Sequence, residues 1–338
     1  MLKGAIIGLG NIAVRGHVPA YLSDPALILR MQIVAVMDVV EQSREKAHEH
    51  LPGARFYTDL EKMLEHEQLD FVDICTPPHT HAEYIRACAG RGIHVLCEKP
   101  LTENTASKEE LMPLIRSSGI VFVPCHQYKY SPLWKTIRDI IASGALGVVT
   151  LAQFNVFRLQ ADSGTAAWNP EWRTNKKQSG GGILVDTGAH YFYLAQYFFG
   201  VPKNISALLR TLKHEGYGVE DTAIVTLEYE RTLMQISLTW AANHRGNSAY
   251  IVGTEGTLSY DGRKLHQENA SGLTEIPMPD VSDKKQYVAW YAALINEFAM
   301  RIETDNTSDD LLCEAGRVMQ LLELSYRASE QHKILEVA

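Results

Sequence analysis

The sequence predicts an α/β protein in two parts: a parallel sheet wrapped by helices, then an α/β part with a large, mostly antiparallel open sheet. Three observations predict it. As far as residue 125, short apolar runs alternate with helix-length stretches, the pattern of βαβ units. Those runs (AIIG, IVAVMD, FVDIC) are continuously apolar, as strands buried on both faces must be. After residue 130 come strands of period two with no helices between them, which pair most simply in an antiparallel sheet. The 338 residues exceed what one hydrophobic core comfortably serves, so two domains are expected, residues 1–125 and 126–338.

Taken in order, the strands expected in the first part are 3–8, 32–38, 70–76, 94–97 and 120–125. Helices are expected over 12–22, 41–51, 60–66, 80–91 and 105–118. In the second part a helix over 131–143 precedes strands 148–157, 205–212, 223–229, 234–240 and 248–252. Gly253, Gly256 and Gly262 read as turns, and helices over 286–302 and 309–331 follow.

Hydrophobic residues at 46% and charged residues at 21% are ordinary for a soluble enzyme. A formal net charge of −8 argues against nucleic acid as the main partner, because phosphate backbones need a basic footprint. No apolar run approaches the ~18 residues of a membrane span. The opening MLKGAIIGLG enters a strand directly, without a signal-peptide pattern. The five cysteines (Cys75, Cys88, Cys97, Cys125 and Cys313) are odd in number and form no C-x-x-C pair. Three of them sit in apolar strands, as thiols do in a reducing compartment. The expected location is cytoplasmic.

Chemistry first becomes visible at Gly8-Leu9-Gly10-Asn11-Ile12-Ala13, between the first strand and a helix. It fits G-x-G-x-x-G/A. The first glycine permits a tight turn, the second lets backbone approach a pyrophosphate, and a small third residue lets helix and strand pack closely. The helix N-terminus offers free N–H groups to the phosphates. Asp38 ends the second strand, where an acidic residue hydrogen-bonds the ribose of NAD and repels the extra phosphate of NADP. The first part therefore reads as a Rossmann domain for NAD, with Gly8, Gly10, Asn11, Ile12 and Asp38 as cofactor contacts.

Further segments resemble the glucose–fructose oxidoreductase/inositol dehydrogenase/rhizopine catabolism (Gfo/Idh/MocA) family. They are Cys75-Thr76-Pro77-Pro78-His79-Thr80-His81, Glu98-Lys99-Pro100, Ser179-Gly180-Gly181-Gly182 with Asp186-Thr187-Gly188-Ala189-His190, and Gly253-Thr254-Glu255-Gly256. They run in order and cover most of the chain. The resemblance implies that Thr76, Pro77, His81, Glu98, Lys99 and Gln127 line the nicotinamide side of the cofactor site. It also implies a substrate site drawn from Lys99, Tyr128, Arg158, Trp172, Arg173, Asp186 and His190. One segment departs: the family often has Asn at Gln127 and Arg at Lys129, and lysine lacks the bidentate fork of arginine.

Lys99 follows a strand and so sits at a carboxyl end of the sheet, where ligands bind. Its ammonium can stabilise an alkoxide, or it can be a surface lysine paired with Glu98. Asp186 and His190, spaced i, i+4 in an apolar helix, should share a face. His190 suits general-base work, with Asp186 holding its tautomer or binding substrate; a hydrogen-bonded core pair is the plainer reading. His79 and His81 lack a third ligand, and no metal is expected. Trp168, Trp172 and Trp240 are core or sugar-stacking aromatics. Arg158, Arg173, Lys176 and Lys177 either form a solvated loop or bring positive charge to the substrate side, suiting a carboxylate or phosphate.

The expected reaction is hydride transfer between NAD and a carbinol carbon of a sugar, cyclitol or nucleotide-linked sugar. Lys99, Asp186 and His190 are the catalytic candidates. The expected assembly is a homo-dimer or homo-tetramer through the second sheet. Three alternatives remain open at this level: an NAD-dependent glycosidase on the same fold, a non-catalytic NAD-binding regulator, and a phosphate- or nucleotide-binding module.

Overall fold

The computed structural model describes residues 1–281 and 283–337. Six strands form the first sheet: β1 (Leu2–Ile7), β2 (Met31–Met37), β3 (Arg55–Tyr57), β4 (Phe71–Ile74), β5 (His94–Cys97) and β6 (Phe122–Pro124). All pair in parallel, in the order β3-β2-β1-β4-β5-β6. Strand order reverses beside β1, and the crevice at that switch point is where such sheets bind ligands. Ile6 and Ile7 of β1 and Val72 and Ile74 of β4 are fully buried, which accounts for the unbroken apolar runs. β3 was not foreseen, because a three-residue strand with partly exposed side chains carries no apolar run. Between the helix expected over 12–22 and the strand expected from 32 lies a further helix, Pro25–Arg30. Asp24 caps it, accepting from the N–H groups of Ala26 and Leu27 at 3.0 Å each.

The second sheet has nine strands: β7 (Val149–Phe157), β8 (Asn204–Arg210), β9 (Thr222–Glu228), β10 (Leu233–Thr239), β11 (Gly246–Gly253), β12 (Gly256–Tyr260), β13 (Lys264–Asn269), β14 (Gly272–Pro277) and β15 (Leu335–Glu336). Their order is β14-β13-β12-β11-β7-β10-β9-β8-β15. Every pairing is antiparallel except β7 with β10, which is parallel. In β9 and β10, Ala223, Val225, Leu227, Met234 and Ile236 face the core, while Ile224 and Leu233 alternate outward. Gly253, Gly256 and Gly262 read only as turns, so β12 to β14 go beyond the sequence expectation. β12 and β13 are short and turn-flanked, though Leu258, Tyr260 and Leu265 reach the core, and β14 is held mainly by pairing with β13.

The helix Tyr287–Glu303 returns to the first sheet. Its Tyr291, Leu294, Ile295 and Phe298 are buried with Ile6, Leu9, Val36 and Phe71. The rings of Phe71 and Phe298 meet edge-on, 5.8 Å apart. Burying one such side chain contributes ~1.5–3 kcal/mol. Arg30 adds a two-pronged bond to Glu303, at 2.8 and 2.7 Å. This packing fixes the second part of the chain over the carboxyl ends of the first sheet. No helix among the described residues is long and apolar enough to cross a membrane.

Candidate active site

A cleft of about 880 Å³ lies between the carboxyl ends of β1, β2, β4 and β5 and the second sheet. Gly8 turns the chain at its edge with φ +90°, and a Cβ there would lie 2.6 Å from Thr76 Cγ2. Gly10 has open space where a Cβ would be, leaving backbone accessible to a pyrophosphate. Asp38 accepts from the N–H of Leu9 at 2.8 Å and of Val40 at 2.9 Å, which fixes its carboxylate at the rim. Gln127 is buried beside the cleft, and its Oε1 has no hydrogen-bond partner among the described residues. An open glycine edge, a fixed carboxylate and an unpartnered amide oxygen fit the phosphates, ribose and carboxamide of a nicotinamide dinucleotide.

The opposite wall carries the reactive groups. Lys99 Nζ, from the end of β5, donates to the main-chain oxygen of Asp186 at 2.6 Å. An ammonium has three donors, so two remain for a substrate. The Asp186 carboxylate pairs with Arg173 Nε at 3.0 Å. His190 Nδ1 lies 2.8 Å from the Tyr193 hydroxyl, and its ring stacks on Tyr128 at 4.2 Å. That leaves Nε2 as the ring nitrogen available to the cleft. Burial, then the positive field of Lys99, His126 and Arg158, holds His190 well below the usual histidine range. It is therefore neutral near pH 7 and able to accept a proton.

Asp186 was expected to hold the His190 tautomer; Tyr193 occupies that nitrogen instead. The segment Leu184–Gly188 is a π-helical turn; Asp186 and His190 both face the cleft, but the Asp186 carboxylate is held by Arg173 rather than by the imidazole. His81 was expected at the cofactor. It is fully buried behind the cleft, with ring nitrogens 2.8 Å from the Thr76 oxygen and 3.0 Å from the Pro100 oxygen, so it braces two loops. His79 lines the cleft, bonding the Gln178 oxygen at 3.2 Å and stacking on Trp168. Lys129 lies outside the cleft, paired with Glu314 at 3.0 Å. Lys176 and Lys177 are exposed and do not line the cleft. The other expected cofactor and substrate residues all line it.

Several supporting residues escaped the sequence reading. Glu220 accepts from the N–H groups of Gly182 (3.0 Å) and Leu184 (3.1 Å) and from the Tyr326 hydroxyl (2.9 Å), fixing the turn that carries Asp186. A Cβ on Gly182 would lie 1.9 Å from the Glu220 oxygen, so only glycine permits this approach. Beneath Lys99, the Glu98 carboxylate binds His17 Nε2 at 3.2 Å and the Tyr291 hydroxyl, and His17 Nδ1 reaches Asp73 at 2.8 Å. Burial would raise the Glu98 pKa, but His17, Lys99 and Tyr291 outweigh it and hold the carboxyl below its usual range. Arg245, Lys284 and Tyr287 also line the substrate side. A lone Glu220 in a Val-Glu-Asp loop, or a His17 late in a helix, gives no local signal of such contacts.

Residues 2–126 match the family model described as the oxidoreductase family, NAD-binding Rossmann fold, and residues 134–259 match that of the GFO/IDH/MocA C-terminal domain. The chain is 26% identical to the D-glucoside 3-dehydrogenase of Escherichia coli (strain K12), over 87% of each chain. It is 28% identical to the scyllo-inositol 2-dehydrogenase (NADP+) of Bacillus subtilis (strain 168), over 93% of this chain and 94% of that one. Its fold superposes on levoglucosan dehydrogenase in complex with NADH with a TM-score of 0.87, at 19% identity, covering 100% of this chain and 99% of that one.

Proposed function

The chain belongs to the Gfo/Idh/MocA family of NAD-binding oxidoreductases and is a dehydrogenase; we propose that it oxidises, or forms, a secondary hydroxyl of a sugar, cyclitol or nucleotide-linked sugar. The observation that carries this reading is the convergence of Lys99 and the Asp186–His190 segment across one cleft, with the Lys99–Asp186 bond at 2.6 Å. When bound, NAD supplies the hydride acceptor. His190 Nε2 takes the hydroxyl proton as the C–H bond breaks, which its neutral state allows. The two remaining Lys99 donors stabilise the negative charge growing on that oxygen. Asp186 and Arg173, paired with each other, position a neighbouring hydroxyl. In the reverse direction His190 returns the proton.

Residues 1–125 are proposed as the cofactor domain and 126–338 as the substrate and assembly domain. The outward face of the second sheet exposes Leu208, Ile224, Leu233 and Tyr250. This supports a homo-dimer or homo-tetramer through that face; a monomer by light scattering at assay concentration contradicts it. The free cysteines, four of them buried, support a reducing cytoplasmic location. The test of function is a spectrophotometric screen of sugars, cyclitols and nucleotide sugars with NAD and NADP. NADH should accumulate with at least one of them; no reduction with any member overturns the reading.

A further inference from the structure

We propose that the substrate of this dehydrogenase carries an anionic group, a carboxylate or phosphate, received by Arg158 and Arg245 on the second-sheet side of the cleft. The inference rests on the proposed polyol chemistry and adds a substrate class to it.

It begins with matched charges. On the substrate side the cleft is lined by Lys99, Arg158, Arg173, Arg245 and Lys284, against Asp162 and Asp186. Both carboxylates are taken. Lys284 Nζ bonds Asp162 at 2.5 Å, and Arg173 bonds Asp186 at 3.0 Å. Lys99 is assigned to the reacting oxygen. Neither Arg158 nor Arg245 forms an ion pair among the described residues, although the Arg245 charge reaches Asp162, in a chain whose formal charge is −8.

Arg158 is half-buried and held in place. Its Nη1 donates to the main-chain oxygens of Phe157 (2.8 Å) and Gly246 (3.1 Å), and its Nη2 donates to Asn247 Oδ1 (3.0 Å). These three acceptors are neutral, so they orient the guanidinium without cancelling its charge. A guanidinium has five donors, and two stay free. Arg245, on the loop before β11, is exposed, forms no ion pair among the described residues, and acts on Asp162 only through its field. A partly desolvated cation without a counter-charge is costly, and an incoming anion removes that cost. It would also relieve part of the field that keeps His190 neutral, since Arg158 contributes to that field.

The test uses full-length protein saturated with NADH, and calorimetric titration with matched probes: D-glucose, D-glucuronate and glucose 6-phosphate, then D-galactose and D-galacturonate. In at least one series the anion should bind tenfold or more tighter than the neutral sugar. Arg158→Gln and Arg245→Gln should each cut that preference at least fivefold and leave the affinity for NADH unchanged. Uronate preferred over phosphate identifies a carboxylate subsite; the reverse identifies a phosphate subsite. Neutral sugars bound as tightly as their anionic partners overturn the subsite while leaving the polyol reading intact. Binding of neither kind, with NADH bound, overturns the anionic subsite as stated, while the polyol reading stands or falls by the wider screen. Loss of NADH affinity in the variants, with the sugar preference unchanged, assigns these arginines to the cofactor and overturns the proposal.

Discussion

Replacing Lys99 with alanine should lower kcat by about 10²–10³, the cost of about 2.7–4 kcal/mol for losing one preorganised donor to a developing oxyanion. The magnitude follows from the geometry. Lys99 Nζ is anchored at 2.6 Å to the Asp186 oxygen, so its remaining donors are held in place before the substrate arrives. The same substitution has a second, independent effect. The Lys99 charge is, after burial, the first of the fields that depress the His190 pKa. Removing a cation makes the imidazolium less unfavourable, so the pKa of His190 rises toward its ordinary value. His190 works as a base when neutral, so activity falls as pH drops through that pKa. In Lys99→Ala the acid limb of kcat/KM should therefore lie at higher pH than in the wild type. The assay is initial-rate NADH formation across pH, with NAD affinity measured by fluorescence in parallel. Wild-type turnover in the variant would refute the alkoxide role. An acid limb displaced to lower pH would refute the electrostatic coupling, and weakened NAD binding with kcat preserved would make Lys99 a cofactor ligand.

His190→Asn should cost about 10²–10⁴ in kcat, the range for general-base catalysis, with NAD affinity unchanged; near wild-type turnover counts against it. Asp38→Ala should raise KM for NAD and shrink the NAD-to-NADP ratio of kcat/KM, because a carboxylate at the ribose is lost while Lys46 still lines that end of the cleft. An unchanged ratio would mean that Asp38 only shapes the turn. Glu220→Ala strands the N–H groups of Gly182 and Leu184 and the Tyr326 hydroxyl. Each stranded buried group costs roughly 1–3 kcal/mol, so thermal denaturation should show a clear fall in Tm and kcat should fall with it. An unaltered Tm with full activity would show that the turn holds itself.

Legibility followed the physics of each signal. The parallel sheet was plain because strands such as Phe71–Ile74 are buried on both faces and leave continuous apolar runs. The phosphate loop was plain because Gly8 and Gly10 serve backbone geometry within one short turn between strand and helix. Strands β12 to β14 were hidden because each is short and set between glycine turns, with at most two core residues apiece (Leu258 and Tyr260 in β12, Leu265 in β13) and the rest polar or exposed. Helical spacing correctly puts Asp186 and His190 on one cleft, but Arg173 takes the carboxylate and Tyr193 the imidazole Nδ1, and neither competitor is visible in the i, i+4 spacing. Glu220 and His17 carry no local signal because their partners lie across the fold, at Gly182 and Glu98, whereas Tyr193 sits one turn from His190 in a helix full of aromatics. Arg245 and Lys284 join the cleft from segments that reach it only after the second sheet and the returning helix are in place.

The central claim is direct hydride transfer from a carbinol carbon to the nicotinamide, and isotopic labelling tests it most directly. A sugar or cyclitol identified in the screen is prepared with deuterium on the oxidised carbon and turned over with NAD in ordinary water. The account predicts that the deuterium appears at C4 of the NADH formed, as seen by NMR, at one face of the ring and without dilution by solvent protons. NADH that carries no label, or a product formed without net NADH while the label washes into water, would contradict it.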